Sequence, residues 1–316
     1  MSTPPRIKCL DIGPQCPVEN SIYGYYPNRP TNALLCIGFG ILLLIQGWQT
    51  IKYKTYTYGL AMTFGCLGEA IGYIGRIILR DNPFSITGFQ MQICCLIMAP
   101  AFLSAAIYLT LKHLCLALGP NLSLLKPRYY TWIFIGVDLL SLTLQGIGGG
   151  LAASSNGDRA QQDLGANVMI AGIVWQVFTL VVFGILVGHF FWRVNSEKRH
   201  SANPTAQKLW ASRKFKLFLI STTVAFLAIF ARCVYRIAEM VGGWRNHIMR
   251  DEISFIILEG FMCLVAAILL TAFHPGQCFP QMRGDYEATR FATLPVSSTD
   301  ASYVPLHKRR LMDGDS

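Results

Sequence analysis

Seven apolar runs of about 20 residues divide the chain, at 32–51, 57–79, 91–111, 130–152, 167–191, 215–240 and 252–273. The hydrocarbon core of a bilayer is about 30 Å thick, and a helix of about 20 residues crosses it. In lipid only a helix or a closed barrel satisfies its own backbone polar groups. Each run is therefore predicted to be a membrane-spanning α-helix. The expected fold class is all-α, a polytopic membrane protein with seven transmembrane helices. Residues 1–31 form an N-terminal tail, 32–275 the helical domain, and 276–316 a disordered polar tail containing "PVSSTDAS" and "HKRR". Pro275 in "HPG" cannot continue a helix, so the last span is expected to stop there.

Composition agrees with the pattern. Apolar residues make up 53% of the chain and charged residues only 14%, against about 25% charged in an average soluble protein. The formal net charge of +10 does not point to nucleic acid, because the basic residues fall in short connections. Lys52 and Lys54 lie in the first. Lys112, Lys126 and Arg128 lie in the third, and Arg193, Lys198, Arg199, Arg213, Lys214 and Lys216 in the fifth. The tail adds Arg283, Arg290, Lys308, Arg309 and Arg310. The even connections carry fewer: Arg80, Arg159, and Arg245 with Arg250. Lysine and arginine accumulate on the cytoplasmic side. The N-terminus is thus expected outside and the C-terminus in the cytoplasm, despite Arg6, Lys8 and Arg29 in the N-terminal tail. "NLS" at Asn121 then falls on the cytoplasmic side, with no glycan expected. Seven of the ten cysteines lie in or beside spans without zinc-site spacing and read as small packing residues. Cys9 and Cys16 stand apart in the N-terminal tail and can form a disulfide if that tail is outside.

Ionisable residues inside spans are costly, and they usually face a bundle interior and pair. Here they are Glu69, Arg76, Asp138, Arg232, Arg236, Glu239 and Glu259. Glu69 and Arg76 are seven residues apart and share a helix face with Tyr73 between them, yet lie about 10 Å apart along the axis. Each needs a partner on another helix. "ARCVYRIAEM" in the sixth span supplies Arg232, Arg236 and Glu239 at i, i+4 and i+7, and Arg236 can reach Glu239 at i+3. With the expected orientation all but Asp138 lie in the outer half. Gly65, Gly68, Gly72 and Gly75 form a small-residue stripe beside the charged face, suited to close helix contact and expected to admit the sixth and seventh spans. Pro100 should kink the third span, and "GIGGG" at 146–150 should loosen the outer end of the fourth. The cluster reads either as an ion-pair network that fixes helix register or as the lining of a ligand site or translocation path.

Glu69-x-x-Gly72-Tyr73-x-x-Arg76, Ala99-Pro100-Ala101-Phe102 with Ala105-Ala106-Ile107-Tyr108, Arg232-x-x-Tyr235-Arg236-x-x-Glu239, and His274-Pro275-Gly276 carry a resemblance. Together with Tyr26-Pro27 and Asn32 they resemble the fungal RTA-like, lipid-translocating exporter family over about residues 23–276. The resemblance implies seven spans, no cofactor, and transport of lipids or toxic amphiphiles such as sphingoid long-chain bases, with porphyrin uptake in one branch. It implies plasma-membrane or endomembrane residence. Family members tend to carry an aspartate in place of Glu259 and an aromatic after the residue matching Glu252, where this chain has Ile253. The residues expected to line a translocation path are Glu69, Tyr73, Arg76, Asp138, Arg232, Tyr235, Arg236, Glu239 and Glu259, with membrane lipids or amphiphilic small molecules as partners. Two other classes remain open. A seven-span receptor shares this layout, but the third span ends Leu111-Lys112-His113, without an acidic-Arg-Tyr motif, and the seventh lacks Asn-Pro-x-x-Tyr. A metal-dependent intramembrane hydrolase would need several histidines, and only His113, His189 and His274 approach the spans. No phosphate-binding loop for ATP is present.

Overall fold

A computed structural model describes residues 12–14, 16–21, 23–118, 123–124, 127–154, 159–197, 212–242 and 247–278. Cys9, Asn121, the basic stretch at 198–199 and the tail beyond 278 lie outside the described residues. Seven helices are long and apolar enough to cross a membrane. They are α1 (Arg29–Tyr53), α2 (Tyr56–Asp81), α3 (Ile86–Leu118), α4 (Pro127–Ala153), α5 (Arg159–Glu197), α6 (Arg213–Val241) and α7. The last runs from Glu252–Phe255 through a π-helical turn, Ile256–Phe261, into Met262–Ala272. No β-strand occurs among the described residues. Each expected span lies within or nearly coincides with a helix, and α3 and α5 extend well past the apolar runs, to 33 and 39 residues.

Local chemistry explains the ends. The Asn28 side chain caps α1 by accepting from the Thr31 N–H at 3.2 Å, and Pro30 sits in the first turn, where a missing N–H costs nothing. Lys54 stops α1 in the left-handed region at φ 52°. Asp251 caps α7, accepting from the Ile253 N–H at 3.1 Å and the Ser254 hydroxyl at 2.5 Å. After Ala272 the chain leaves α7, and Pro275 opens a separate four-residue helix, Pro275–Cys278. The His274 Nδ1 accepts from the Gly276 N–H at 3.0 Å, and its ring packs between Tyr53 and Tyr58. "HPG" thus ties the ends of α1, α2 and α7 together. Gln46 reinforces this end by donating to the Thr271 hydroxyl at 2.8 Å.

The bundle carries apolar residues on its outer surface as well as in its core, with the charges inside. Leu34, Leu44, Trp132, Ile185 and Trp192 project outward, whereas Arg76, Arg232 and Arg236 are among the largest fully buried side chains. One apolar core lies between α3, α4, α5 and α6 around Tyr108, Phe134, Phe183, Phe190 and Phe218. A second lies between α1, α2, α3 and α7 around Leu35, Phe39, Tyr73, Leu96, Phe255 and Cys263.

Two small-residue runs behave differently from the sequence expectation. The glycine stripe of α2 faces α3, and not α6 or α7. A Cβ at Gly75 would lie 2.8 Å from the Gln92 nitrogen and 2.9 Å from the Gly88 oxygen, and one at Gly68 would lie 3.1 Å from the Ala99 Cβ. Charges and glycines occupy different sides of one helix, so the glycines set the α2–α3 distance and leave the charged side to other neighbours. The "GIGGG" run does not loosen α4, which stays helical to Ala153. Tertiary packing overrides the weak propensity of glycine. A Cβ at Gly148 would lie 2.6 Å from the Gly165 oxygen, and one at Gly165 would lie 2.5 Å from the Ala152 nitrogen. Within the run Gly148 alone forms the tight seam against α5, and Gly146 and Gly150 have nothing within 4 Å of an added Cβ.

Candidate functional site

The seven expected intramembrane charges are all buried, each 3% exposed or less. Arg232 and Glu259 join α6 to α7 with Nη2 and Oε1 2.5 Å apart. Arg236 and Glu239 pair within α6 at 2.5 Å, the i, i+3 contact that their spacing suggests. A buried ion pair offsets its desolvation only with close geometry and further hydrogen bonds, and both pairs have the first of these.

The Arg232 guanidinium makes a second bond that explains Pro100. Proline has no N–H, so the carbonyl four residues earlier loses its helical donor. That carbonyl belongs to Leu96, and Arg232 Nη2 donates to it. α3 runs on through Pro100, with its freed acceptor satisfied from α6. Arg232 therefore clasps three helices: its own α6, the proline turn of α3, and the π-helical turn of α7 that carries Glu259. Single π turns inside α-helices occur frequently at functional sites.

Arg76 does not meet α6. Its Nη2 donates to the Tyr25 hydroxyl at 2.9 Å and lies 3.6 Å from Glu252 Oε1. The guanidinium stacks 3.9 Å over the Phe255 ring and lies 5.4 Å from the Tyr23 ring. Glu252 also accepts from the Asn28 N–H at 2.6 Å, and Tyr23 accepts from Gln92 Nε2 at 2.8 Å. The chain before α1 is thus bound over this end of the bundle. Burial raises the Tyr23 and Tyr25 hydroxyls above the usual tyrosine range, with the Arg76 charge opposing it, so both stay neutral donors or acceptors. Cys16, in the same segment, is buried and disulfide-bonded; its expected partner, Cys9, lies outside the described residues.

Each arginine has a carboxylate, and two carboxyl groups remain. Glu69 is fully buried beside the Arg232–Glu259 pair, with the weak donor Cys263 Sγ as its nearest polar contact and no nitrogen or oxygen donor on either of its oxygens. Asp138 lies apart from the cluster, against α3, where its Oδ2 accepts from the Ser104 hydroxyl at 3.0 Å and its Oδ1 has no partner. Tyr73 stacks on Phe39 with a ring separation of 5.9 Å, and its hydroxyl and that of Tyr235 are buried without a partner. A Cβ on Gly260 would lie 2.9 Å from the Tyr73 oxygen, so this glycine lets α7 approach the tyrosine.

The site thus joins Glu69, Tyr73, Arg232, Tyr235, Arg236, Glu239 and Glu259 on α2, α6 and α7, sets Arg76 at its capped end, and leaves Asp138 apart, on Ser104 of α3. Sequence reading missed Glu252, whose place at the edge of a span concealed a reach inward. It also missed Tyr25 and the Leu96 carbonyl; the signal for the carbonyl was Pro100 itself. Among the described residues no three His, Cys, Asp or Glu side chains converge to hold a metal ion. The unpartnered Glu69 carboxylate suits a cation or a proton, and the arginine flanks suit phosphate or hydroxyl groups.

Residues 62–282 match the model of the RTA1 like protein family. The chain is 35% identical to the sphingoid long-chain base transporter RSB1 of Saccharomyces cerevisiae (strain Lalvin EC1118 / Prise de mousse), over 83% of this chain and 75% of the relative. It is 29% identical to Protein RTM1 of Saccharomyces cerevisiae, over 74% and 73%. It is also 29% identical to Protoporphyrin uptake protein 1 of Saccharomyces cerevisiae (strain ATCC 204508 / S288c), over 68% and 67%. No solved structure matches the chain. An integral membrane protein of seven helices, with the charged motifs buried at its centre, it belongs to the RTA1-like family.

Proposed function

We propose that the protein is a non-enzymatic translocator of amphiphilic amines, of the sphingoid long-chain base type, across the plasma membrane. The observation that carries this is Glu69: a wholly buried carboxyl group faced by the Cys263 thiol but by no nitrogen or oxygen donor, set among arginines that already hold their own carboxylates. An ammonium headgroup supplies the missing counter-charge, while its hydroxyl groups meet Tyr73 and Tyr235 and its long alkyl chain stays in lipid. The sphingoid long-chain base transporter that is 35% identical to the chain supports the substrate class. The distribution of lysine and arginine supports an N-terminus outside, which sets the charge cluster in the outer half of the membrane.

The test is efflux of a labelled sphingoid base from cells lacking the endogenous protein, with wild type or Glu69→Gln restored. Wild type should restore efflux and Glu69→Gln should reduce it at least tenfold at equal expression. Equal efflux from the two refutes the role of Glu69. A porphyrin carries no ammonium group, so porphyrin uptake that survives Glu69→Gln while amine efflux disappears separates the two substrate classes.

A further inference from the structure

Asp138 is the carboxyl that the amine site does not use. It is 3% exposed, its Oδ2 accepts from Ser104, and the ionisable groups facing it are the Tyr108 hydroxyl from α3, its other polar neighbour, and Cys233 from α6. From α5 the ring of Phe183 closes this region against Tyr108 and Phe134. Among the described residues no lysine, arginine or histidine faces it from α3, α5 or α6. A carboxyl enclosed by apolar surface without a counter-cation has one small ligand that needs no cavity, a proton, and intramembrane acids of this kind mark proton relays in transporters.

Its position gives that proton something to act on. Asp138 holds Ser104, and Arg232 holds the Leu96 carbonyl. These points lie one turn after and one turn before Pro100, where α3 lacks a backbone bond. The soft turn of α3 is therefore pinned from α4 on one side and from the Arg232–Glu259 pair beside Glu69 on the other. A carboxylate accepts from Ser104 more strongly than the neutral acid does, so gain or loss of a proton at Asp138 changes the hold on one side of that turn.

We propose that Asp138 is a proton-binding site that couples amphiphile transport to a proton gradient through the proline turn of α3. One proton moves on the Asp138 carboxyl in the direction opposite to one ammonium ion, so the exchange is electroneutral. The proton is taken from water on one side and released to water on the other, and no other bond changes. This rests on the amine-translocator reading, and the experiment below separates the two.

Purified full-length protein is reconstituted in phosphatidylcholine vesicles that enclose a pH-sensitive dye, and a sphingoid base is added with and without an opposing pH gradient. Protein-free vesicles give the passive distribution of the base. In wild type, one pH unit should drive the base toward the about tenfold ratio that one proton per amine allows, at an initial rate at least tenfold above the passive rate of protein-free vesicles, which approach the same end point, and adding the base without a gradient should move protons in the opposite direction at that faster rate. Asp138→Asn should lose both responses and Asp138→Glu should regain both, with thermal unfolding confirming that each variant is folded. Wild-type amine movement that ignores the gradient and moves no proton overturns the coupling and leaves the translocator reading intact. So do both responses persisting in Asp138→Asn. Wild-type vesicles that move no amine under either condition overturn the translocator reading and the coupling with it.

Discussion

The clasp at Arg232 makes a quantitative claim about folding. Arg232→Met removes the guanidinium and leaves two buried groups behind: the Glu259 carboxylate, 1% exposed, and the Leu96 carbonyl that Pro100 deprives of its helical donor. Breaking a buried ion pair from one side costs about 3–5 kcal/mol. Adding Glu259→Met removes the orphaned charge, and what remains is an unmet carbonyl at about 1–3 kcal/mol. Adding Pro100→Ala returns an N–H to the Leu96 carbonyl and should recover most of that remainder. The series single, double, triple should therefore become steadily more stable, although it contains more substitutions at each step. The assay is unfolding in lipid–detergent bicelles by titrated denaturing detergent, followed by fluorescence of the six tryptophans. A double variant as unstable as the single would show that Glu259 does not depend on Arg232. A triple no better than the double would show that the Leu96 carbonyl does not depend on it either.

Other expectations are smaller in scope. Gly75→Ala should destabilise the bundle by about 1–3 kcal/mol, because the new methyl meets the backbone of Gln92 and Gly88. Gly136→Ala, with nothing within 4 Å of the added Cβ, should stay within about 0.5 kcal/mol of wild type; the same titration compares them, and equal effects would contradict the α2–α3 seam. Glu252→Gln should weaken the hold on Asn28 and Arg76 and speed hydrogen exchange at 23–28 by at least tenfold, while exchange at the α4–α5 seam is unchanged. The Asp251 carboxyl is held below its usual range, first by the Ser254 hydroxyl and then by the Ile253 and Ser254 N–H groups. A depressed folded-state value means that its stabilisation is full above the unfolded value of about 3.9 and is lost as pH falls through the folded value. Hydrogen exchange in the first turn of α7, corrected for intrinsic rate, should therefore accelerate below about pH 4 in wild type and show no such step in Asp251→Ala.

The parts of this molecule legible in one dimension are those that follow from local periodicity. Apolar run length located every span, because lipid demands a continuous helix whatever surrounds it. The i, i+3 spacing of Arg236 and Glu239 is likewise a property of one helix, and the pair forms. The 10 Å between Glu69 and Arg76 correctly separated them, but it could not say where each would turn. That depended on which helix lies beside α2, and the glycines misled because a stripe reports close approach without naming the neighbour. The α2–α3 contact consumes the glycine side, and this leaves Arg76 to the N-terminal segment and Glu252, and Glu69 to α7. Pro100 was visible as a break in α3; its consequence was not, because the freed Leu96 carbonyl is a backbone group and sequence motifs are written in side chains. One turn of α3 consequently connects features that the sequence leaves unrelated. Arg232 grips it before the proline, and Asp138 grips it after, through Ser104. The Arg232 side carries the paired glutamate beside the empty Glu69 carboxylate. The Asp138 side carries the other carboxyl without a counter-cation. A helix that lacks a backbone bond between two such anchors bends more readily there than anywhere else along its length. Arg232, beside Glu69, and Asp138 thus hold the same soft turn from its two ends, so under the proposed coupling a proton gained at Asp138 changes the load at Arg232.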